Sequence, residues 1–410
     1  MAATVRRLWE GNAGPEQRVF WYEAFVPDSI ARLDPSFTAA SVEAMSAAVR
    51  ALAELDGSPG HAGLETLSRQ LLRAESLASS FIEGLSLSHR RLSRATHDPA
   101  SADRVARYVA GNVAAMECAI AIGTADDRLR VAHLLELHRL LFLGTPEEAI
   151  GGRLRESQNW IGRNPYSPWR AEFIPPPEDR VGDLVADLCS FANRTDLPAI
   201  AQAAVAHAQF ETIHPFPDGN GRVGRALIHV ILRRRGAVTT YVPPVSLVLA
   251  ANADRYVDGL TAYREGQIDD WCGMFGAVLR DAAVLARDLG GRLQRLADQW
   301  RERAGRPRRT SAAQRLIERL PARPVLDINT AADLLEVSYP QARAAVLRLQ
   351  DAGILHPIRL GRQRSQAWEA PELLELLDAF EFEAMTPTQP GRRRRPSPRR
   401  PPDHAPSGRP

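Results

Sequence analysis

A chain of 410 residues, 44% hydrophobic and 25% charged, is long enough to bury two or three cores. It shows neither an uncharged apolar run of about 18 residues for a membrane nor an apolar core after Met1 for export, so the cytoplasm is the expected compartment. Lysine is absent and all 52 basic residues are arginine. That excludes a Walker A loop, a Schiff-base lysine enzyme and a lysine-dependent kinase, leaving arginine, backbone N–H groups or a metal to hold phosphate. The net charge of +3 is uneven: residues 391–410 hold seven Arg and one Asp, a balance of +6 that leaves the remainder at −3. Cys118, Cys189 and Cys272 lie far apart, with no CxxC pair, and read as three buried thiols.

Residues 1–35 mix aromatics with proline and are expected to be irregular, packed on a core. Val42, Met45, Val49 and Leu52 carry helical spacing from Thr38 to about Glu54, ended by Gly57-Ser-Pro-Gly60. Helices are predicted at 64–77, 103–122 and 128–142, then at 178–193, 198–212, 221–235, 252–264 and 268–303. Residues 151–177, rich in Gly, Pro and aromatics, read as a long loop or hairpin. Arg306-Pro-Arg-Arg-Thr310 reads as a linker to a second unit with core positions Leu334, Leu335, Val346, Leu349 and Ile354, and from about Pro387 the composition cannot bury apolar surface and predicts disorder. The divisions that follow are 1–100, 101–303, a linker at 304–310, 311–383, and a tail at 384–410. The fold class is mainly α.

Residues 214–225, His-Pro-Phe-Pro-Asp-Gly-Asn-Gly-Arg-Val-Gly-Arg, carry the chemistry. Asp218-Gly219-Asn220-Gly221 is turn-forming and precedes a helical pattern. Its glycines let backbone N–H groups approach a ligand, and a helix N-terminus adds unpaired N–H groups and a positive dipole end. Arg222 and Arg225, three residues apart, share a helix face and suit a polyphosphate. Asp218 offers one carboxylate, which with phosphate oxygens and water is how Mg²⁺ is held. His214 has the pKa range of a general base.

This run matches, position for position, the HPFxDGNGRxGR signature of Fic-domain proteins, with Pro217 in the free place. Val109-Ala-Gly-Asn112 resembles the family's early helix. Ser157–Gly162 and Phe173–Pro177 resemble the β-hairpin flap that grips a target segment, and residues 1–84 resemble the family's N-terminal extension. The resemblance covers about residues 15–300. It implies a protein adenylyltransferase that takes ATP and Mg²⁺. His214 would accept the proton of a Tyr, Thr or Ser hydroxyl on a target protein, and Asp218 would hold the metal. Gly219, Asn220 and Gly221 would hold the α-phosphate, Arg222 the β-phosphate and Arg225 the γ-phosphate. Asn252 and Tyr256 would lie near the adenine.

Ser79-Ser-Phe-Ile-Glu83-Gly84 fits the family's inhibitory pattern (S/T)xxxE(G/N). A Glu83 carboxylate facing Arg225 would stand where the γ-phosphate belongs, and in some relatives this Glu orients a water that removes AMP. Residues 311–380 resemble a winged helix-turn-helix, with Ser338–Leu349 as the recognition-type helix and Gly361–Ser365 as the wing tip. Residues 306–380 hold eleven Arg against nine acids, a weak footprint for DNA, so DNA and a protein partner or second copy both stand as occupants. The Arg-rich tail reads first as a solvated disordered end, with nonspecific affinity for nucleic acid through phosphate charge as the alternative. Two further readings stay open: a Fic transferase using UTP, GTP or CDP-choline, or phosphorylating its target, and a DNA-binding regulator whose Fic unit senses nucleotide.

Overall fold

The computed structural model describes residues 2–10, 19–57, 64–125, 128–162, 164, 166–361 and 365–386. The N-terminal segment, expected to be irregular, is an antiparallel hairpin of β1 (Ala3–Glu10) and β2 (Val19–Val26), with Arg6 opposite Glu23 and Leu8 opposite Trp21. Its inner face holds Val5, Arg7 and Trp9. Arg7 reaches Asp179 at 3.0 Å, so a charge sits where an alternating strand would show an apolar residue. Phe25 N donates to Ile174 O at 2.9 Å, which lays the hairpin beside the expected flap. The flap is thinner than expected: among the described residues of 157–177, the strand pairing is the single bridge between Ile161 and Phe173.

Among the described residues the hairpin is followed in order by α1 (Ala39–Asp56), α2 (Leu64–Ile82), α3 (His89–His97), α4 (Arg104–Thr124), α5 (Val131–Phe142), α6 (Glu178–Ala192), α7 (Ala199–Ile213), α8 (Asn220–Arg234), α9 (Val245–Ala251) and α10 (Ala253–Arg264). The long α11 (Ile268–Arg303) packs along α1. The chain is mainly helical, as its periodicity predicts. At the centre, α8 packs against α7 and α4; α7 is buried from Ile200 to Ile213 and α8 from Asn220 to Leu232. Burial on all sides lets no amphipathic pattern survive in α7, as expected of a core helix. By length and composition α4 could cross a membrane, but here it packs against α2, α5 and α8.

Two helices depart from their expected bounds in ways that matter for the site. α2 runs on to Ile82, past the expected stop at Leu77, so Ser79 lies in its last turns. α9, between Pro244 and Asn252, is a short apolar run that periodicity does not resolve.

The C-terminal segment contains α12 (Ala312–Arg319), β3 (Val325–Leu326), α13 (Ile328–Leu335), α14 (Tyr339–Asp351), β4 (His356–Leu360), β5 (Ser365–Glu369) and α15 (Pro371–Ala384). Its sheet has the antiparallel order β3-β5-β4. Leu335, Val346, Leu349 and Ile354 are buried as expected, and Leu334 is half-buried. Residues 362–364 of the expected wing tip, and the Arg-rich tail beyond residue 386, lie outside the described residues. This segment holds both sides of the inhibitory motif. Thr66 Oγ donates to Glu318 O at 3.1 Å and Gln70 Nε2 to Pro321 O, while on the far side of Gly84 the His89 imidazole meets Glu381 at 2.7 Å and Arg94 meets Glu369 at 2.8 Å.

Candidate active site

α7 stops where His214 turns left-handed, at φ 50° and ψ 60°. A non-glycine residue adopts that backbone at a cost of about 1–2 kcal/mol, so the surroundings must hold it. Three hydrogen bonds do. His214 N donates to Phe210 O at 2.9 Å, and His214 O accepts from Arg155 Nε at 2.9 Å and from Asn159 Nδ2 at 3.3 Å.

Asn220 closes the turn that follows. Its Oδ1 accepts from Phe216 N and its Nδ2 donates to Phe216 O, both at 2.8 Å. The amide expected on a phosphate is thus engaged with the loop backbone. The Phe216 ring stacks on the His138 imidazole, 3.9 Å between centroids and 7° from parallel. His138 Nδ1 accepts from Gly152 N at 3.0 Å, so its proton sits on Nε2 and is donated to Asp218 O at 3.0 Å. Burial, helped by the charge of Arg222, lowers the His138 pKa to about 4 against the opposing bond to Asp218 O, and the ring is neutral at pH 7.

Gly219, at φ 77°, caps the N-terminus of α8, where a side chain would be strained. Gly221 sits in the first turn, and a Cβ there would come within 2.0 Å of Glu83 Oε1. The Glu83 carboxylate therefore rests on the first turn of α8, against the end of the helix that favours negative charge. It accepts from Arg225 Nη2 at 2.9 Å. Arg225 also donates through Nε to Ser79 Oγ at 2.9 Å and through Nη2 to Ser79 O at 2.8 Å, and its side chain is 1% exposed. Burial opposes the charge of Arg225, and Glu83, Tyr256 and Glu211 outweigh it, so its pKa is raised.

The contact continues along both helices. Glu75 and Ser79 of α2 and Glu83 just beyond its end recur every four residues, as do Gly221, Arg225 and His229 on α8. The third rung is fully buried: Glu75 Oε1 meets His229 Nε2 at 3.1 Å and accepts from Ser246 Oγ at 2.6 Å, while Glu75 Oε2 accepts from Ser246 N at 2.7 Å. Asn112 of α4 donates to Ser76 O at 2.8 Å and Ser80 Oγ at 3.0 Å, tying the end of α2 from another side. Gly84, at φ 83°, terminates the helix directly after Glu83.

Arg222 is 3% exposed, with its guanidinium 5.4 Å from the Phe142 ring centroid. Its nearest carboxylate oxygen is Asp218 Oδ2 at 3.8 Å, and its buried Nε and Nη1 donate to no atom among the described residues. Asp218 is 64% exposed, with Oδ1 accepting from Gly219 N at 2.7 Å. Among the described residues no group of three or more His, Cys, Asp or Glu side chains could hold a metal by itself. A lone exposed carboxylate beside two arginines fits Mg²⁺ carried on substrate phosphates, not a metal caged by protein.

The structure therefore brings His214, Asp218, Gly219, Asn220, Gly221, Arg222, Arg225, Ser79, Glu83 and Gly84 to one place. Asn252 and Tyr256 stand one turn apart, Tyr256 N donating to Asn252 O at 2.9 Å, and differ in burial. Asn252 is exposed, with Nδ2 on Val248 O. Tyr256 is buried, its hydroxyl 2.8 Å from His207 Nε2 and its pKa raised, chiefly by burial. Burial likewise lowers His207 to about 3. Sequence reading missed Arg155, His138, Glu75 and His229. The four-residue recurrence on α2 and α8 was a signal for the last two; the first two carry none, because their hydrogen-bond partners are backbone carbonyls and amides, which no side-chain spacing marks.

Residues 42–121 match the Fic/DOC family N-terminal region and residues 128–232 match the Fic/DOC family itself. Over 141 residues, 34% of this chain and 25% of the relative, the sequence is 30% identical to protein adenylyltransferase fic-1 of Caenorhabditis elegans. Over 206 residues, 50% of this chain and 59% of the relative, it is 27% identical to a probable protein adenylyltransferase of Aquifex aeolicus. The matches thus span a quarter to three-fifths of those relatives. In fold the chain resembles a Fic family protein of Desulfovibrio desulfuricans G20, with a TM-score of 0.50 and 23% identity over 82% of this chain and 97% of that one. Both family regions fall in order on the chain, and the twelve-residue loop that caps α8 lies inside the second of them: residues 42–121 and 128–232 carry a Fic N-terminal region followed by a Fic domain.

Proposed function

We propose that this chain transfers AMP from ATP to a Tyr, Thr or Ser hydroxyl of a target protein and is restrained by Glu83. The observation that carries the reading is the Glu83 carboxylate seated on the first turn of α8 and paired with Arg225. A carboxylate there is an anion already bound in the anion site, and it comes from the C-terminal end of its own helix, where the dipole disfavours it. A triphosphate offers the same arginine more charge.

In the proposed reaction the target hydroxyl oxygen attacks the α-phosphorus of ATP. The new O–P bond forms as the bond from the α-phosphorus to the bridging oxygen breaks, pyrophosphate leaves, and the hydroxyl proton passes to the His214 imidazole. Arg222 and Arg225 stabilise the negative charge on the phosphates, and the N–H groups at Gly219 and Gly221 add fixed dipoles. Asp218 would hold Mg²⁺, which when bound neutralises phosphate charge. The names of the relatives, protein adenylyltransferases, support AMP as the transferred group.

The test is incorporation of label from ATP marked at the α-phosphate, with UTP, GTP and CDP-choline in parallel. Glu83→Gly is expected to raise transfer by about 100-fold, the scale of breaking a partly buried pair. Label from another nucleotide alone would replace ATP as the donor. No label from any of them would end the transferase reading, and label that does not rise in Glu83→Gly would end the role of Glu83.

A further inference from the structure

His214 can act as a base only if its imidazole is aimed, and its backbone stands in a conformation that it would leave unaided. The residue that holds it lies 59 positions away. Arg155 is 3% exposed, and each of its side-chain nitrogens points at a different backbone carbonyl. Nε donates to His214 O at 2.9 Å, Nη1 to Ser157 O at 3.1 Å and Nη2 to Pro176 O. Its own backbone N donates to Pro215 O at 2.9 Å. No ion pair with a carboxylate is formed among the described residues, although Glu178 lies near enough to favour the charge. Burial lowers the Arg155 pKa to about 10, so the guanidinium remains charged at neutral pH. A buried cation that spends its charge on three carbonyls is costly to keep, and a planar fork presents its donors in the fixed, divergent directions these carbonyls require. Asn159 repeats the tie more weakly, its Nδ2 lying 3.3 Å from His214 O and 3.1 Å from Phe216 O.

We propose that Arg155 is a positioning residue for the transfer reaction: it clamps the left-handed carbonyl of His214 to the two segments at 157 and 176, and so aims the imidazole at the hydroxyl that it deprotonates. The inference rests on the proposed role of His214 as base. Arg155 touches neither nucleotide nor hydroxyl in this account, and its effect is on rate, not on phosphate binding. Lysine keeps the charge but can hold only part of the fork.

The test compares Arg155→Lys and Asn159→Ala, each in the Glu83→Gly background, by kcat for AMP transfer, KM for ATP and thermal midpoint. Arg155→Lys is expected to lower kcat by about 100-fold, the usual effect of misplacing a reacting group by about 1 Å, with KM for ATP changed by less than about twofold. Asn159→Ala is expected to lower kcat by about tenfold in the same pattern. If Arg155→Lys does not fold, Asn159→Ala decides the matter alone. An unchanged kcat, or a kcat that falls only in step with ATP binding and thermal midpoint, overturns the proposal. A Glu83→Gly parent that transfers nothing fails for a different reason, because the transferase reading is then wrong and the positioning role falls with it.

Discussion

Arg222 and Arg225 stand three residues apart on α8, both almost wholly buried, and their surroundings differ. Arg225 makes two hydrogen bonds to Ser79 of α2 and a third to the Glu83 carboxylate just past its end. Arg222 has an aromatic ring beneath it, a carboxylate oxygen at 3.8 Å, and two buried N–H groups with no acceptor among the described residues. Buried guanidinium donors left unmatched are expensive. The protein has hydrogen-bonded a carboxylate to one arginine and left the other with only the exposed Asp218 at 3.8 Å, so the two should answer differently to any change at Glu83.

That difference can be broken by measuring ATP affinity in two backgrounds. Arg222→Met should weaken ATP binding by about 10–100-fold whether residue 83 is Glu or Gly, the worth of a charge-assisted contact to phosphate. Arg225→Met should do so only in the Glu83→Gly chain, because in the parent chain Arg225 is already committed to Glu83. Titration calorimetry of the two parents and four variants decides it, and equal losses for Arg225→Met in both backgrounds would mean that Glu83 does not compete with nucleotide.

A smaller effect is expected one turn further from the nucleotide. Glu75 and His229 brace α2 against α8 at the third rung, out of reach of the phosphates. Glu75→Gln replaces a charged acceptor by a neutral one at a cost of about 1 kcal/mol. Loosening α2 in this way should raise AMP transfer by about five- to tenfold in the parent chain and leave the Glu83→Gly chain unchanged. Equal rates with and without the substitution in the parent would leave the rung a packing feature only.

Which parts of this were legible in the sequence follows from where the partners lie. The loop from His214 to Arg225 and its helix could be read because a turn, two glycines and two arginines at helical spacing are all local. The N-terminal hairpin could not, because Arg7 occupies an inward position and its partner Asp179 is 172 residues away. α3 is hidden for the same reason: His89 is buried against Glu381, so a polar helix face is in fact a core face. Glu83 was readable as a motif, but Arg155 and His138 act on backbone groups, which leave no trace in side-chain pattern.

The smallest expected effect tests the floor of the site. His138 holds Phe216 by stacking and Asp218 by its Nε2 proton, and its Nδ1 accepts the Gly152 N–H. Protonating the ring would bury a charge, and one beside Arg222, which is why its pKa falls from 6.5 to about 4 despite the bond to Asp218 O. The unfolded chain therefore takes up a proton below pH 6.5 that the folded chain refuses until about pH 4. Unfolded protein binds more protons in that window, so stability contributed by His138 is full above pH 6.5 and drains away as pH falls toward 4. Between pH 7 and 5.5 the loss from this residue is about 1 kcal/mol. Denaturant melts of the parent and of His138→Asn across that range should differ in slope by this amount, the variant being flatter even if less stable throughout. Parallel slopes would place the proton elsewhere on the ring and remove His138 from the support of the Asp218 turn, while leaving the contrast between the two arginines untouched.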